Sequence, residues 1–222
     1  MRRTSKVQVK VWGEGALFTR PEGKVERVSY PIMTPSAARG ILEGIFWKPE
    51  FQYRVRSITA LQMPNFHSIV RNEISTKATI TKSFMKRPVN RYADKMRQIR
   101  HTLYLKNVAY IIKAEIHLLP ETKDPIEKYE SIFNRRVKKG QCFSRPYLGA
   151  REFSAHFGPV TGTERKIEWT EDLGSMFFDY RYSKEGSNAI PYFFQATVEK
   201  GTLVIPQQLY KEVYRDVYPT LD

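Results

Sequence analysis

The stretch Val28 to Pro49, VSYPIMTPSAARGILEGIFWKP, constrains the fold most. Thr34 followed by Pro35 is a helix start: a hydroxyl that can cap orphan amides, then a residue whose missing N–H costs nothing in the first turn. Ala38, Ile41, Leu42 and Ile45 recur at helical spacing, while Arg39 and Glu43 face away. Lys48-Pro49 stops the helix, because the residue before a proline is pushed out of the α region. An amphipathic helix of this kind needs a sheet to cover.

The strands for that sheet lie on either side of it. Val7, Val9 and Val11 alternate with Gln8, Lys10 and Trp12, a half-buried first strand. Gly13, Gly15, Pro21 and Gly23 punctuate a loop carrying Arg20, Lys24 and Arg27 beside Phe18 and Tyr30. Its Gly-x-Gly is not followed by a helix start, so it is not a dinucleotide fingerprint. Phe51 to Met63 reads as a second strand, ended by Pro64.

From about 67 to 101 the apolar periodicity fades and cations accumulate: Arg71, Lys77, Lys82, Lys86, Arg87, Arg91, Lys95, Arg97 and Arg100, against Glu73 and Asp94. This reads as an inserted basic β-hairpin or loop, either a solvated flap or a phosphate-binding arm; self-repulsion favours the arm. Thr102 to Leu119 is the longest β-rich segment, interrupted near Lys106-Asn107. Beyond the interruption Ile112, Ala114, Ile116 and Leu118 share one face, with Tyr110 near the same edge. Ile111, Lys113, Glu115 and His117 share the other.

Asp124-Pro125 repeats the cap-then-proline start; Ile126, Tyr129, Ile132, Phe133 and Val137 form the stripe, and Lys138-Lys139-Gly140 the end. A Gly-containing turn then leads to a fourth strand at Arg151 to Phe157. The order strand, helix, strand, strand, helix, strand predicts an α+β fold, a ferredoxin-like (RRM-like) βαββαβ domain over 1–157. Gly158-Pro159 and Gly162 mark its boundary with a C-terminal, mainly antiparallel β extension over 158–222. There Met176, Phe178, Tyr180 and Tyr182 alternate on one strand face. A hairpin turns at Glu199-Lys200-Gly201, and Gln207 to Val217 makes a short helix with Leu209, Val213 and Val217 in line.

Composition narrows the partners. A formal net charge of +14 attracts polyanions, and 13 Tyr, 13 Phe and 3 Trp supply rings on which unpaired bases stack, unless they are simply core. No apolar run approaches ~18 residues and the N-terminal segment has no apolar signal core, so a cytoplasmic protein with no membrane partner is expected. The single Cys142 excludes an internal disulfide and a multi-cysteine zinc site.

Four pieces carry a family resemblance: VWGEGALFTRPEGKVERVSY (11–30), TPSAARGILEGIFWKP (34–49), NVAYIIKAEIHL (107–118) and PYLGAREF (146–153). Together, in this order, they resemble the RAMP-superfamily protein of type I-C (Dvulg-subtype) CRISPR systems, the fifth Cas protein in its d or c variant. The resemblance implies a ribonuclease that cuts CRISPR precursor RNA at the base of the repeat hairpin. It would need no metal and no cofactor: the 2′-hydroxyl attacks the adjacent phosphate, leaving 2′,3′-cyclic phosphate and 5′-hydroxyl ends. It also implies that the protein stays on the 5′ handle of the mature crRNA beside the other subunits of the interference complex.

The family's catalytic aromatic, mapped onto this chain, is Phe46, which has no hydroxyl. The lysine of its central-strand Lys-x-His is Lys113, and the histidine position holds Glu115, with His117 two residues on. The resemblance therefore implies Lys113 as phosphate stabiliser. His117, a two-residue step of about 6.6 Å beyond the family's histidine position and so not a simple replacement for it, is the candidate general acid or base. Tyr110 and Tyr30 are the candidate sources of the missing hydroxyl. Arg20, Lys24, Arg27, Trp47, Arg71, Lys77, Lys82, Lys86, Arg87, Arg91, Arg100 and Arg151 are the candidate RNA contacts. His67, His101 and His156 read as ordinary surface or loop residues. Because Phe46 and Glu115 empty two proton-moving positions, a non-catalytic handle-binding subunit is the rival reading. A general basic binder of RNA or duplex DNA is a third.

Overall fold

A computed structural model describes residues 2–23, 25–74, 96–182 and 189–214. Among them the strands are β1 (Thr4–Ala16), β2 (Arg27–Val28), β3 (Phe51–Ala60), β4 (Phe66–Ile74), β5 (Arg97–Leu118), β6 (His156–Gly158), β7 (Glu171–Tyr182), β8 (Ala189–Glu199) and β9 (Thr202–Val204). The helices are α1 (Pro35–Ile45), α2 (Ile126–Lys139) and α3 (Gln208–Tyr214). The result is a mixed α/β protein on one mostly antiparallel sheet, ordered β6-β1-β5-β3-β9-β8-β7, with β2 and β4 added along the first half of β5.

The expected first helix forms. Thr34 caps it through the Ala37 amide, and Ala38, Ile41, Leu42 and Ile45 are buried. It ends at Phe46, two residues before the Lys48-Pro49 stop, where α2 and the segment after α2 meet its last carbonyls. Phe143 and Ser144 amides donate to Gly44 O at 2.9 and 3.0 Å, and Arg136 Nη1 donates to Ile45 O at 2.7 Å. Both α1 and α2 cover the sheet face formed by Val7, Val9 and Val11 of β1, Ile112, Ala114 and Ile116 of β5, and Tyr53 and Val55 of β3. That layer is the core, and its burial is the main source of stability.

Long β5 is the axis of the molecule. Its 22 residues pair with β4 from Arg97 to Leu105, then with β3 from Tyr110 to Leu118, while β1 runs along the other side. The interruption expected at Lys106-Asn107 is a single left-handed residue, Asn107 at φ 52°, inside a continuous strand. Asparagine tolerates that conformation better than most residues.

Several expectations are corrected by packing. The fourth strand is only His156–Gly158; Arg151 to Phe153 form a turn whose Phe153 amide bonds back to Ala150 O. Asp124 does not cap α2; its carboxylate takes Lys128 Nζ at 2.6 Å, and Pro125 stands at the cap position without a side-chain bond. Arg39 does not face away, since it reaches β7 (Arg39 Nε to Asp179 Oδ2, 3.0 Å). Tyr180 and Tyr182 do not share the buried face of Met176 and Phe178. A bulge between Phe177 and Asp179 reverses the alternation, leaving the two tyrosines exposed and Asp179 buried. On α3 the buried residues are Tyr210 and Val213 rather than a Leu209 stripe, and Val217 lies outside the described residues.

Candidate functional site

The site grows from the sheet face that carries no helix core. Register places three rows across β1, β5 and β3: Thr4, His117 and Gln52; Lys6, Glu115 and Arg54; Gln8, Lys113 and Ser57. The expected grouping of Lys113, Glu115 and His117 on one face is therefore present. A bulge between Val55 and Ser57 adds what alternation alone could not reveal: Arg56 is the extra residue, and its guanidinium turns to the Glu115 carboxylate. Lys113 stands exposed at the rim of a depression of about 770 Å³ that Lys6, Gln8, Arg56, Ser57 and Glu115 also line.

Electrostatics divides the roles. Burial opposes ionisation of Glu115, but hydrogen bonds and charge from Arg56, and then from His117, outweigh it and hold the carboxyl below its ordinary range. His117 Nε2 lies 3.1 Å from Glu115 Oε2. Burial, reinforced by the Arg54 charge and only partly offset by Glu115, pushes the imidazole down to about 4. At neutral pH His117 is thus uncharged; with Nε2–H donating to the carboxylate, Nδ1 keeps its lone pair, a proton acceptor rather than a donor. Next to it the Gln52 carboxamide is buried with neither polar atom hydrogen-bonded among the described residues.

The other expected proton movers are elsewhere. Phe46 is buried on the helix side of the sheet, its ring 5.4 Å from Phe51 and 5.1 Å from the Arg136 guanidinium. Tyr110 is buried on that side too, its phenol pushed up by burial. Tyr30 is 1% exposed and its oxygen accepts the Phe177 amide at 3.2 Å. None of the three joins Lys113 on the open face. Trp47, beside Phe46, is half exposed.

The candidate RNA contacts fall into groups. Arg27, Arg71 and Arg100 meet where β2, β4 and β5 join: Arg71 and Arg100 are direct cross-strand partners. Their like charges are countered by Glu73, 3.3 Å from Arg27 and 3.6 Å from Arg100, and by Glu152, which pairs with Arg71. Arg20 lies over the Tyr30 ring at 4.7 Å, and Arg151 is exposed in its turn. Lys24, Lys77, Lys82, Lys86, Arg87 and Arg91 lie outside the described residues. Among the described residues no group of three or more His, Cys, Asp or Glu stands together as a metal site, and no helix is long and apolar enough to cross a membrane.

Lys6, Arg54 and Arg56 were not among the sequence candidates. The outward parity of Lys6 was readable from Val7, Val9 and Val11; the position of Arg56 depends on the bulge. The PYLGAREF piece is also explained by packing. Gly149 sits at φ +84°, and a Cβ there would lie 2.1 Å from Leu17 O, so only glycine fits against the loop after β1.

Fold and face define a class: a mixed α/β protein built on one long, mostly antiparallel sheet with a cationic depression on its open side. The Cas5d family model, described as CRISPR-associated protein (Cas_Cas5), matches residues 7–205. Two relatives named CRISPR pre-crRNA endoribonuclease Cas5d align over nearly their whole lengths. The Thermus thermophilus protein is 42% identical, covering 95% of this chain and 96% of its own. The Mannheimia succiniciproducens protein is 38% identical, covering 95% and 99%. Among solved structures, a CRISPR-associated protein superposes with a TM-score of 0.66 at 24% identity, covering 94% of this chain and 95% of its own. A Streptococcus mutans protein superposes at 0.65 and 23%, covering 94% and 96%. These two likenesses speak to the fold. The chain belongs to the Cas5d family of CRISPR-associated proteins, the family its four sequence pieces pointed to.

Proposed function

We propose that this protein is an endoribonuclease that cuts CRISPR precursor RNA within the repeat and stays on the 5′ handle of the product, in the cytoplasm, beside the other subunits of an interference complex. The observation that carries the reading is full-length likeness, at 42% identity, to a protein named for that reaction. The lateral order β6-β1-β5-β3, reached through β1, α1, β3, β5, α2 and β6, supports a ferredoxin-like domain over 1–157. The described residues beyond 158 then form an extension that continues the sheet through β9 on β3.

The chemistry is in-line transfer within the RNA. The 2′ oxygen forms a bond to the adjacent phosphorus as the bond to the 5′ oxygen breaks; the 2′ proton goes to a base and the leaving oxygen gains one. No metal takes part in this scheme. Lys113, exposed at the depression, would hold the phosphate and its developing charge, with Arg56 and Lys6 adding to the local field. His117, held by Glu115, stands four residues along β5 from Lys113, about 13 Å by strand geometry, too far to take the 2′ proton at the phosphate that Lys113 holds.

Incubating the protein with its own repeat RNA in excess EDTA tests this directly. A single cut leaving cyclic-phosphate and 5′-hydroxyl ends supports the reading. Tight hairpin binding with intact RNA at every pH would replace it with the handle-binding subunit, which the buried, hydroxyl-free Phe46 favours. Binding without preference for the repeat over arbitrary duplex DNA would point to a general basic binder.

A further inference from the structure

The far end of the open face holds a cluster that the cleavage scheme leaves unused. Trp12 on β1 and His156 on β6 are direct cross-strand partners. Their rings lie 6.0 Å apart with 22° between planes, and Trp12 is 39% exposed. Lys10 Nζ stands 5.9 Å from the indole centroid and 3.7 Å from Glu164. Beside the rings is a depression of about 620 Å³, whose polar lining comes from Lys10, Glu14, Gln62, Asn107 and His156.

We infer that this depression takes one unpaired nucleobase of the RNA, stacked on the Trp12–His156 pair with its polar edge toward Gln62, Asn107 and Glu14. The inference rests on the RNA reading above and adds a subsite to it. What sets Trp12 apart is its setting: on an outward face otherwise of Lys6, Gln8 and Lys10 it stacks with His156 at the edge of a polar depression, two flat rings that a third can extend. A nucleobase satisfies all of it: its flat face covers the ring and its edge pairs with amides and a carboxylate. The adjacent Lys10 suits the phosphate that accompanies the base. An apolar protein segment would cover the ring but bury the carboxamides and Glu14 without partners.

The subsite lies on the path of the proposed chemistry. Gln8 pairs with Lys113 across the sheet, and Trp12 is four residues further along β1 on the same face. That separation is about 13 Å by strand geometry, a few nucleotides of an extended chain. One RNA strand running along β1 can thus present a phosphate to Lys113 and a base to Trp12.

The test uses the repeat RNA with every 2′-hydroxyl methylated, so that no cleavage intervenes, and 2-aminopurine placed at successive unpaired positions. The wild-type protein quenches the probe at one position. Trp12→Ala removes that quench and weakens binding about tenfold, in line with the loss of one stacking platform. Trp12→Phe, which keeps a ring, retains most of both. The slope of affinity against salt stays the same in both variants, because no phosphate contact is lost. His156→Ala, which spares β1, gives a partial loss. An unaltered quench and affinity in Trp12→Ala overturns the inference, and so does weakened binding of a protein subunit with RNA affinity unchanged. Cleavage of unmodified repeat by the wild type, run in parallel, separates the readings: normal cutting with no stacked position sinks this subsite alone, whereas absence of both binding and cutting sinks the RNA reading with it.

Discussion

Arg39 on α1 and Asp179 on β7 meet in a two-pronged ion pair, Nε to Oδ2 at 3.0 Å and Nη2 to Oδ1 at 3.1 Å. Asp179 is 4% exposed and also accepts Tyr214 OH at 3.1 Å, while Arg39 turns a third nitrogen to Glu43. The pair ties the first helix to β7 and α3. Removing one partner leaves a charge in a place that cannot hydrate it, a loss larger than the pair's net worth. Asp179→Ala should lower unfolding free energy by about 3 kcal/mol, read from urea midpoints. Asp179→Asn, which keeps the shape and some hydrogen bonds, should lose less. Equal midpoints for Asp179→Ala and the parent would mean that the pair contributes nothing.

Gly149 gives a second stability test. Alanine there must hold a positive φ and place a Cβ against the Leu17 carbonyl. A loss of at least about 2 kcal/mol is expected. The same change at Gly40, on α1 with open space at its Cβ position, should be neutral or stabilising. Comparable midpoints for the two variants would contradict the close approach of Gly149 to the Leu17 carbonyl.

The pH dependence of stability follows from His117. Its folded pKa, about 4, lies below the ordinary value of 6.5, so between these limits the unfolded chain binds more protons than the folded one. Stability is therefore full above about pH 6.5 and falls as pH drops toward 4, by an amount on the order of 2 kcal/mol. Glu115, held below its ordinary range, adds a loss of the same sign at still lower pH. The groups facing the imidazole are Thr4, Gln52 and Glu115, with the charges of Arg54 and Arg56 also acting on it. In His117→Gln the dependence between pH 6.5 and 4.5 should flatten; a slope like the parent's would place its origin elsewhere.

For catalysis, Lys113→Ala should slow single-turnover cleavage about 10²-fold and leave hairpin affinity within a small factor. Lys113→Arg should recover part of the rate. An unchanged rate would move the chemistry off this face of the sheet, toward the buried Phe46 and the exposed Trp47 at the end of α1.

What could be read in advance, and what could not, divides along physical lines. Thr34-Pro35 announces α1 because capping is local. The alternation of Ile112, Ala114 and Ile116 with Lys113, Glu115 and His117 assigns β5 its two faces, since side-chain direction along a strand has period two. Gly140 ends α2 in the left-handed conformation expected of such a glycine. Tyr180, Tyr182 and Arg56 were beyond reach, because one inserted residue reverses the parity of everything after it and carries no signature in composition.

The helices, the faces of the central strands, the excess of cations and, through four short pieces, the family are legible in the order of residues alone. Which residues become neighbours depends on how the whole chain packs. That packing sets Phe46 and Lys113 on opposite sides of one sheet, and it brings Arg56 to Glu115, Asp179 to Arg39 and His156 to Trp12. Local interactions are encoded within a few residues of where they act. Cross-strand pairing joins positions up to 148 residues apart, as in Lys10 and Gly158, and is chosen by the packing of the whole chain.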